Sequence, residues 1–296
     1  MGIKNPRLVL MAFLNQKIFR LLSDSAYLKL RYFITLGEKL NLKNPKTFNE
    51  KLQWLKINDR KAIYTTMADK YSARQFIQNK YGKEYLIPLL GIWNKFDEID
   101  FEKLPNQFVI KCTHDSASTY ICKDKSKLNI KKLKKHCNKH LKKSYYYYAR
   151  EWPYKNITPR IICEKYMINK NKKRGIEYKL ICIQGKVQII YARVNNEPPK
   201  GTTLNFFDTN WNELPLKLGF DSTSEVIKKP VNLSKMIEIA EEISKDIIFI
   251  RVDFYEIDNK LYIGELTFYP HAGWLNIDYD ETTRALDELL QLPLQE

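Results

Sequence analysis

At 296 residues with a 44% hydrophobic content, the chain has enough apolar mass to bury a substantial core, as one large domain or as two lobes, which excludes a disordered or fibrous protein. No run approaches the ~20 apolar residues that span a bilayer, and no small-residue cleavage site follows the short apolar segment Leu8-Val9-Leu10-Met11-Ala12-Phe13-Leu14, so a cytoplasmic location without a signal peptide is expected. The formal charge of +16 invites a nucleic-acid reading, but lysine greatly outnumbers arginine and Lys, Asn and Ile are abundant throughout, so no specific nucleic-acid role is expected; attraction to anionic polymers, or peripheral contact with an anionic inner membrane face, remains.

The first hundred residues read as mainly helical. Thr47-Phe48-Asn49-Glu50 is a capping box preceded by Asn44-Pro45, and it starts a helix carrying Leu52, Trp54 and Leu55 as far as Asn58-Asp59. A second helix is expected from Met67 to Asn79, with Tyr81-Gly82 as its stop. Neither helix offers evident chemistry. From Gln107 the texture changes to short strands, the first being Phe108 to Cys112. Lys111, near its end, leads into the polar loop His114-Asp115-Ser116-Ala117-Ser118-Thr119, where an ammonium and hydroxyl or backbone donors can converge on a phosphate.

The lysine-rich stretch 131–143 reads as the solvated face of a helix whose Leu128, Leu133 and Leu141 point inward. His136, Cys137 and His140 have metal-ligand spacing, but the lysines around them repel a cation, and the five cysteines, with no Cys-x-x-Cys pair, are expected to be reduced and buried. Ile161 to Lys165 forms another strand, closing on Glu164, Lys165 and Met167, an extended edge of the kind that can face an adenine ring. Strands follow at Tyr178 to Ile183 and Val187 to Arg193, joined at Gln184-Gly185-Lys186. Glu177 and Lys179 share a face with Ile181 and Ile183, and Arg193 either clamps a carboxylate or phosphate or pairs with Glu177. A helix over Leu233 to Lys245 precedes the most informative segment.

That segment, Arg251 to Thr267, reads as a hairpin. With Asp258, Asn259 and Lys260 as a three-residue connection, Asp253 lies opposite Glu265 and Arg251 opposite Thr267, while Ile250, Val252 and Phe254 share the other face with Tyr262, Leu266 and Phe268. Two opposed carboxylates repel unless a cation or proton lies between them. Magnesium, held by one or two carboxylates with phosphates completing its shell, answers that need; pairing with nearby lysines is the alternative.

Taken in order, the segments Asn44-Pro45-Lys46-Thr47-Phe48-Asn49-Glu50-Lys51-Leu52-Gln53-Trp54-Leu55, Ala68-Asp69-Lys70-Tyr71, Phe108 to His114, Arg150-Glu151-Trp152-Pro153-Tyr154, Arg251-Val252-Asp253-Phe254-Tyr255 and Gly264-Glu265-Leu266-Thr267-Phe268 resemble the ATP-grasp superfamily, in detail its TupA-like branch, named from teichuronopeptide biosynthesis. The resemblance implies an α+β fold. A mainly helical region (1–105) would precede two ATP-grasp lobes, 106–167 with the phosphate-binding loop and 168–296 with the metal-binding hairpin.

It also implies ATP between the lobes. Lys111 with His114 and Ser116 of the loop would meet its phosphates, Glu164, Lys165 and Met167 its base, and Glu177 and Lys179 its ribose and phosphates. Asp253, Glu265 and Thr267 would hold Mg2+, Thr267 standing where many relatives have asparagine. Lys111, Arg193 and Arg251 would stabilise the transferring phosphoryl group as the loop, which lacks glycine here, closes. The implied activity is ATP-dependent carboxylate–amine ligation through an acylphosphate in cell-surface polysaccharide synthesis. A uronic acid or acidic amino acid would be the carboxylate, and an anionic glycan or lipid-linked precursor a partner. A sugar kinase, a glycosyltransferase and a non-catalytic acidic-glycan-binding module are the alternatives.

Overall fold

A computed structural model describes residues 6–171, 175–195, 201–216, 220–275 and 281–294. The chain opens with helices α1 (Pro6–Leu14), α2 (Asp24–Leu36), α3 (Phe48–Asn58), α4 (Ala62–Ala68) and α5 (Ser72–Tyr81). Helix α3 begins with the expected capping box, Thr47 accepting from the Glu50 amide and Glu50 reaching back to the cap. The helix expected over Met67 to Asn79 is instead broken in two. Asp69 stops α4 and accepts from the Ser72 hydroxyl (2.6 Å) and from Arg160 (2.7 Å), while the Lys70 amide donates to the Thr113 carbonyl (3.1 Å). Arg160 and Thr113 are remote in sequence, so the 3.6-residue period runs across the break without marking it.

Strands β1 (Leu89–Trp93), β2 (Phe108–Cys112) and β3 (Tyr120–Cys122) come next, then α6 (Ile130–Leu141), α7 (Tyr146–Ala149) and β4 (Ile161–Lys165). They form a four-stranded antiparallel sheet in the order β1-β4-β2-β3, so the first hundred residues contribute one of its edges. Leu133 and Cys137 of α6 bury against this sheet with Phe108, Ile110 and Cys163, leaving the helix lysines outside.

The second sheet comprises β5 (Glu177–Ile183), β6 (Lys186–Asn195), β7 (Thr202–Phe207) and β8 (Glu213–Leu214), then, after α8 (Leu233–Ser244), β9 (Phe249–Ile257) and β10 (Lys260–Thr267); α9 (Glu281–Leu289) comes last. Its order is β10-β9-β5-β6-β7-β8, all neighbours antiparallel. One face packs on α8 through Met236, Ile239, Ala240 and Ile243 in the larger core, which also takes in Phe48, Leu52 and Leu55 of α3. The turn between β5 and β6 has two residues, Gln184 and Gly185, both at positive φ (49° and 78°), so Lys186 pairs with Ile183.

The β9–β10 hairpin departs from its expected register. Its turn also has two residues, Asp258 and Asn259 (φ 50° and 62°), and Lys260 pairs with Ile257. A register shift between Ile263 and Leu266 then adds one residue to β10 and returns Thr267 to its place opposite Arg251. Gly264 and Glu265 therefore form a bulge across from Asp253. On the turn side of the bulge it is Ile263, 2% exposed and paired with Phe254, that joins the core face; Tyr262 pairs with Tyr255 and does not. Glycine suits the bulge because a Cβ at Gly264 would stand 2.6 Å from the Tyr255 ring.

Candidate active site

The two sheets face one another across a cavity of about 350 Å³. Val109 and Lys111 of β2, Glu164 and Lys165 of β4, and Tyr166 and Met167 beyond it line one side; Glu177 and Lys179 of β5, Arg193 of β6, Asp253 of β9, and Gly264 and Glu265 of β10 line the other. Alternation within each strand explains the gathering: Glu177 and Lys179 pair with Tyr255 and Asp253 across β5 and β9, so their side chains emerge on one face. Lys70, at the break between α4 and α5, completes the wall. The helical period does not single it out, since its position depends on that break, although Lys70 falls within the Ala68-Asp69-Lys70-Tyr71 segment.

Charge in this cavity is closed on itself. Glu164, at the base of the β4 edge, binds Lys111 Nζ (2.6 Å) and Arg74 Nη1 (2.8 Å). Asp253 accepts from Arg251 Nε (2.6 Å), Arg251 Nη2 (2.8 Å) and Lys179 Nζ. Glu177 meets Arg193 at 3.3 Å and Lys179 at 3.5 Å, and accepts from the Tyr255 hydroxyl at 3.2 Å. Lys70 Nζ lies 3.3 Å from Glu265 and also donates to the Asp115 carbonyl, joining the β2–β3 loop to the hairpin bulge. Glu265 is only partly buried, and the desolvation that opposes its ionisation is overridden by the Lys70, Arg251, Lys111 and Lys179 charges, which hold the carboxyl down at about 2.

The expected site residues divide. Lys111, Ser116, Glu164, Lys165, Met167, Glu177, Lys179, Arg193, Asp253 and Glu265 share this cavity. His114 is absent from its wall. The imidazole is buried, donating from Nε2 to the carbonyls of His140 (3.2 Å) and Lys143 (3.0 Å), and burial lowers its pKa. The rest of the expected lid is pinned as well: Asp115 accepts from His140 Nδ1 (2.5 Å) and from the Ser118 hydroxyl, and Ser118 accepts from the Cys112 amide (2.7 Å). Only Ser116, Ala117 and Thr119 of this loop are exposed. Arg251 and Thr267, bonded to each other at 3.1 Å, line a neighbouring cavity.

That second cavity, of about 600 Å³, meets the first along Ser116, Lys179, Arg193 and Glu265. Aromatic rings dominate it, with Tyr145, Tyr148, Tyr154, Tyr191, Tyr269 and Trp274 among its walls, and Arg31 and Glu151 lie deep within it. Neither Arg31 nor Glu151 stands out from sequence as a site residue, although Glu151 falls within the Arg150 to Tyr154 segment.

Asp253 and Glu265 are two carboxylates on one cavity, of the kind that magnesium shares with phosphates. A carboxylate has about four lone-pair sites, so the three donors now on Asp253 leave room for a cation, and Glu265, with a side chain 34% exposed, is accessible. The donor set fits magnesium held jointly with a bound polyphosphate. Among the described residues no cluster of three or more His, Cys, Asp or Glu side chains surrounds a common point, and the Thr267 hydroxyl faces Arg251 in the second cavity.

The model of the TupA-like ATPgrasp family matches residues 50–291. No curated protein matches the chain. Among solved structures, a D-alanine–D-alanine ligase from Bacillus anthracis aligns at 19% identity over 69% of this chain and 57% of its own, with a TM-score of 0.41. An L-amino acid ligase from Bacillus licheniformis aligns at 12% identity over 89% and 55%, with a TM-score of 0.42. This chain thus spans little more than half the length of either. Family membership rests on the match over residues 50–291 and not on these likenesses.

Proposed function

The chain belongs to the TupA-like ATP-grasp family, and we propose that it is an ATP-dependent carboxylate–amine ligase, forming an amide through an acylphosphate. The observation that supports this most directly is the convergence of Lys70, Lys111, Lys179 and Arg193 on a cavity that also holds Asp253 and Glu265 and opens into a second, larger one. On this reading residues 106–167, with β1 added at the sheet edge from the otherwise helical region 1–105, and residues 168–296 form the two lobes around the nucleotide. ATP lies in the first cavity with its base along Glu164, Lys165 and Met167 and its phosphates among the lysines; the carboxylate and amine occupy the second.

The substrate carboxylate attacks the γ-phosphorus, the bond to the β-phosphate oxygen breaks, and ADP leaves. Lys111 and Lys179 neutralise phosphate charge on the nucleotide side, and Arg193, lining both cavities, clamps the group in transfer. Arg251, aligned by Asp253 and Thr267, orients the acceptor carboxylate from the other side. Asp253 and Glu265 would hold magnesium, which when bound neutralises charge on the phosphates. Tyr145, whose hydroxyl bonds Ser116 at 2.6 Å, helps to keep water from the acylphosphate where the cavities meet.

The wider reading is a role in cell-surface polysaccharide synthesis, with a uronic acid or acidic amino acid as the carboxylate, at the inner face of the membrane. Exposed Val9, Leu10, Phe13, Ile18 and Leu21 beside Arg7, Lys17 and Arg20 support the membrane contact, since apolar and basic residues together favour an anionic bilayer surface. No helix among the described residues is long and apolar enough to cross a membrane. Calorimetric titration of ATP and a non-hydrolysable analogue, with and without magnesium, into the wild type and the Asp253→Ala/Glu265→Ala double variant tests the nucleotide site. Magnesium-dependent binding lost in the variant is expected; a folded wild type that binds neither nucleotide would overturn the reading.

A further inference from the structure

The second cavity contains buried polar atoms that nothing in the protein pairs. Arg31 is fully enclosed, at 0% exposure. Its Nη1 donates to the Tyr27 hydroxyl (3.0 Å) and the Tyr148 carbonyl (2.5 Å), whereas Nε and Nη2 have no partner. Glu151, 3% exposed, has none for Oε1, and Trp274 none for Nε1. All three side chains line this cavity, and no side chain with such an atom lines the nucleotide cavity among the described residues. An unpaired buried donor or acceptor is costly, and more so when charged. Several on one wall therefore mark where a ligand completes the hydrogen bonding.

The pattern of orphans specifies the ligand. Nε and Nη2 form one edge of the guanidinium and present two parallel N–H donors, the arrangement that matches the two oxygens of a carboxylate. The edge is fixed: the guanidinium lies 4.2 Å from the Tyr148 ring centre and 5.7 Å from that of Trp274, with Nη1 anchored. Glu151 offers the opposite charge, an acceptor oxygen for an ammonium. A small molecule carrying both an ammonium and a carboxylate satisfies both at once, and the aromatic rings enclose its remaining atoms.

We propose that this wall is the subsite for the amine substrate and that the amine is an amino acid, its carboxylate held across the Nε–Nη2 edge of Arg31 and its nitrogen at Glu151 Oε1. The proposal rests on the ligase reading and gives it a nucleophile. Glu151 takes a proton from the ammonium, and the freed lone pair attacks the acylphosphate carbonyl carbon. The bond from that carbon to the phosphate oxygen then breaks, and a second nitrogen proton leaves with the phosphate. Burial raises the Glu151 carboxyl to about 7 against the pull of Lys56 and Arg31, with Glu265 adding to the rise, which suits it to accept that proton.

Saturation-transfer NMR on the full chain, with the twenty proteinogenic L-amino acids, D-alanine and D-glutamate as probes, tests the subsite. Each amino acid that binds is compared with its α-decarboxylated amine, and ATP titration runs in parallel. At least one amino acid is expected to bind, its decarboxylated counterpart at least ~10-fold more weakly. Arg31→Met should abolish the difference and Arg31→Lys should fail to restore it. Glu151→Gln should retain amino-acid binding within about tenfold but lose roughly 10²–10⁴ in amino-acid-dependent ADP release. The wild-type comparison stands even where an Arg31 variant does not fold. Nucleotide binding without amino-acid binding, or equal binding of amino acid and decarboxylated amine, would overturn the subsite alone; loss of nucleotide binding would overturn the ligase reading while the NMR comparison still reads the subsite.

Discussion

The two cavities meet along Lys179 and Arg193 but manage charge in opposite ways. In the first, cations and carboxylates are matched within the protein: Lys111 and Arg74 with Glu164, Lys179 and Arg251 with Asp253, Lys70 with Glu265. In the second, Arg31 and Glu151 are buried and carry atoms without hydrogen-bond partners. A self-neutralised network keeps charged side chains in place, and on the proposed reading a polyphosphate with its metal exchanges into it, ion for ion, because each incoming charge replaces one already present. The unpaired wall has no such internal substitute, so its cost falls only when the ligand arrives.

Removing the cation shared by two carboxylates is the strongest way to break this contrast. Lys179→Met leaves Glu177 with Arg193 and Asp253 with Arg251, and should lower kcat for ADP release by roughly 10²–10³. A loss below tenfold would mean that the matched network is structural. Lys70→Ala tests the residue hidden at the helix break: it frees Glu265 and unties the loop from the bulge, and calorimetry should find ATP affinity reduced about tenfold, the worth of roughly one charge-assisted contact.

The bulge itself sharpens the comparison, because it sets Glu265 opposite Asp253. Gly264→Ala drives a Cβ to 2.6 Å from the Tyr255 ring and should destabilise the protein by about 1–3 kcal/mol in urea unfolding. Magnesium-dependent nucleotide binding should weaken in the same variant.

The last effect is in pH dependence and belongs to the unpaired wall. With its folded pKa raised from 4.5 to about 7 by burial, Glu151 retains between those values a proton that the unfolded chain has released. Stability therefore falls as pH rises through that window and levels off above it. Lys56, lowered by burial to about 7, acts between 7 and its ordinary 10.5 and does not overlap. Glu151→Gln should flatten the slope of unfolding midpoint against pH from 4.5 to 7, and an unchanged slope would assign the titration elsewhere.

Much of the scaffold was legible in the residues themselves. Strands at Phe108–Cys112 and Ile161–Lys165 fall where the apolar runs put them, and the capping box at Thr47 opens α3. Asp253 and Glu265 share a cavity even though the turn is one residue shorter than expected, since the bulge at Gly264 and Glu265 compensates. His114 was misplaced because a histidine after a strand-end lysine carries no local sign of whether its ring turns out to the cavity or in to the carbonyls of His140 and Lys143.

The sequence by itself determined the periods and caps, and through strand alternation it placed Glu177 with Lys179, and Arg251 with Asp253, on one face of their own strands, because these depend on neighbours within a few residues; that the two pairs meet depends on the pairing of β5 with β9. Only the tertiary structure decided that Lys70 enters the first cavity, since that depends on Asp69 meeting Arg160 and on the Lys70 amide meeting Thr113. It likewise decided that Arg31 and Glu151, separated by 120 positions in the chain, share a buried wall. Contacts of that span are fixed by how the sheets and helices pack, and side-chain burial, which sets both the cost of an unpaired charge and the pKa of Glu151, does not exist until they have packed.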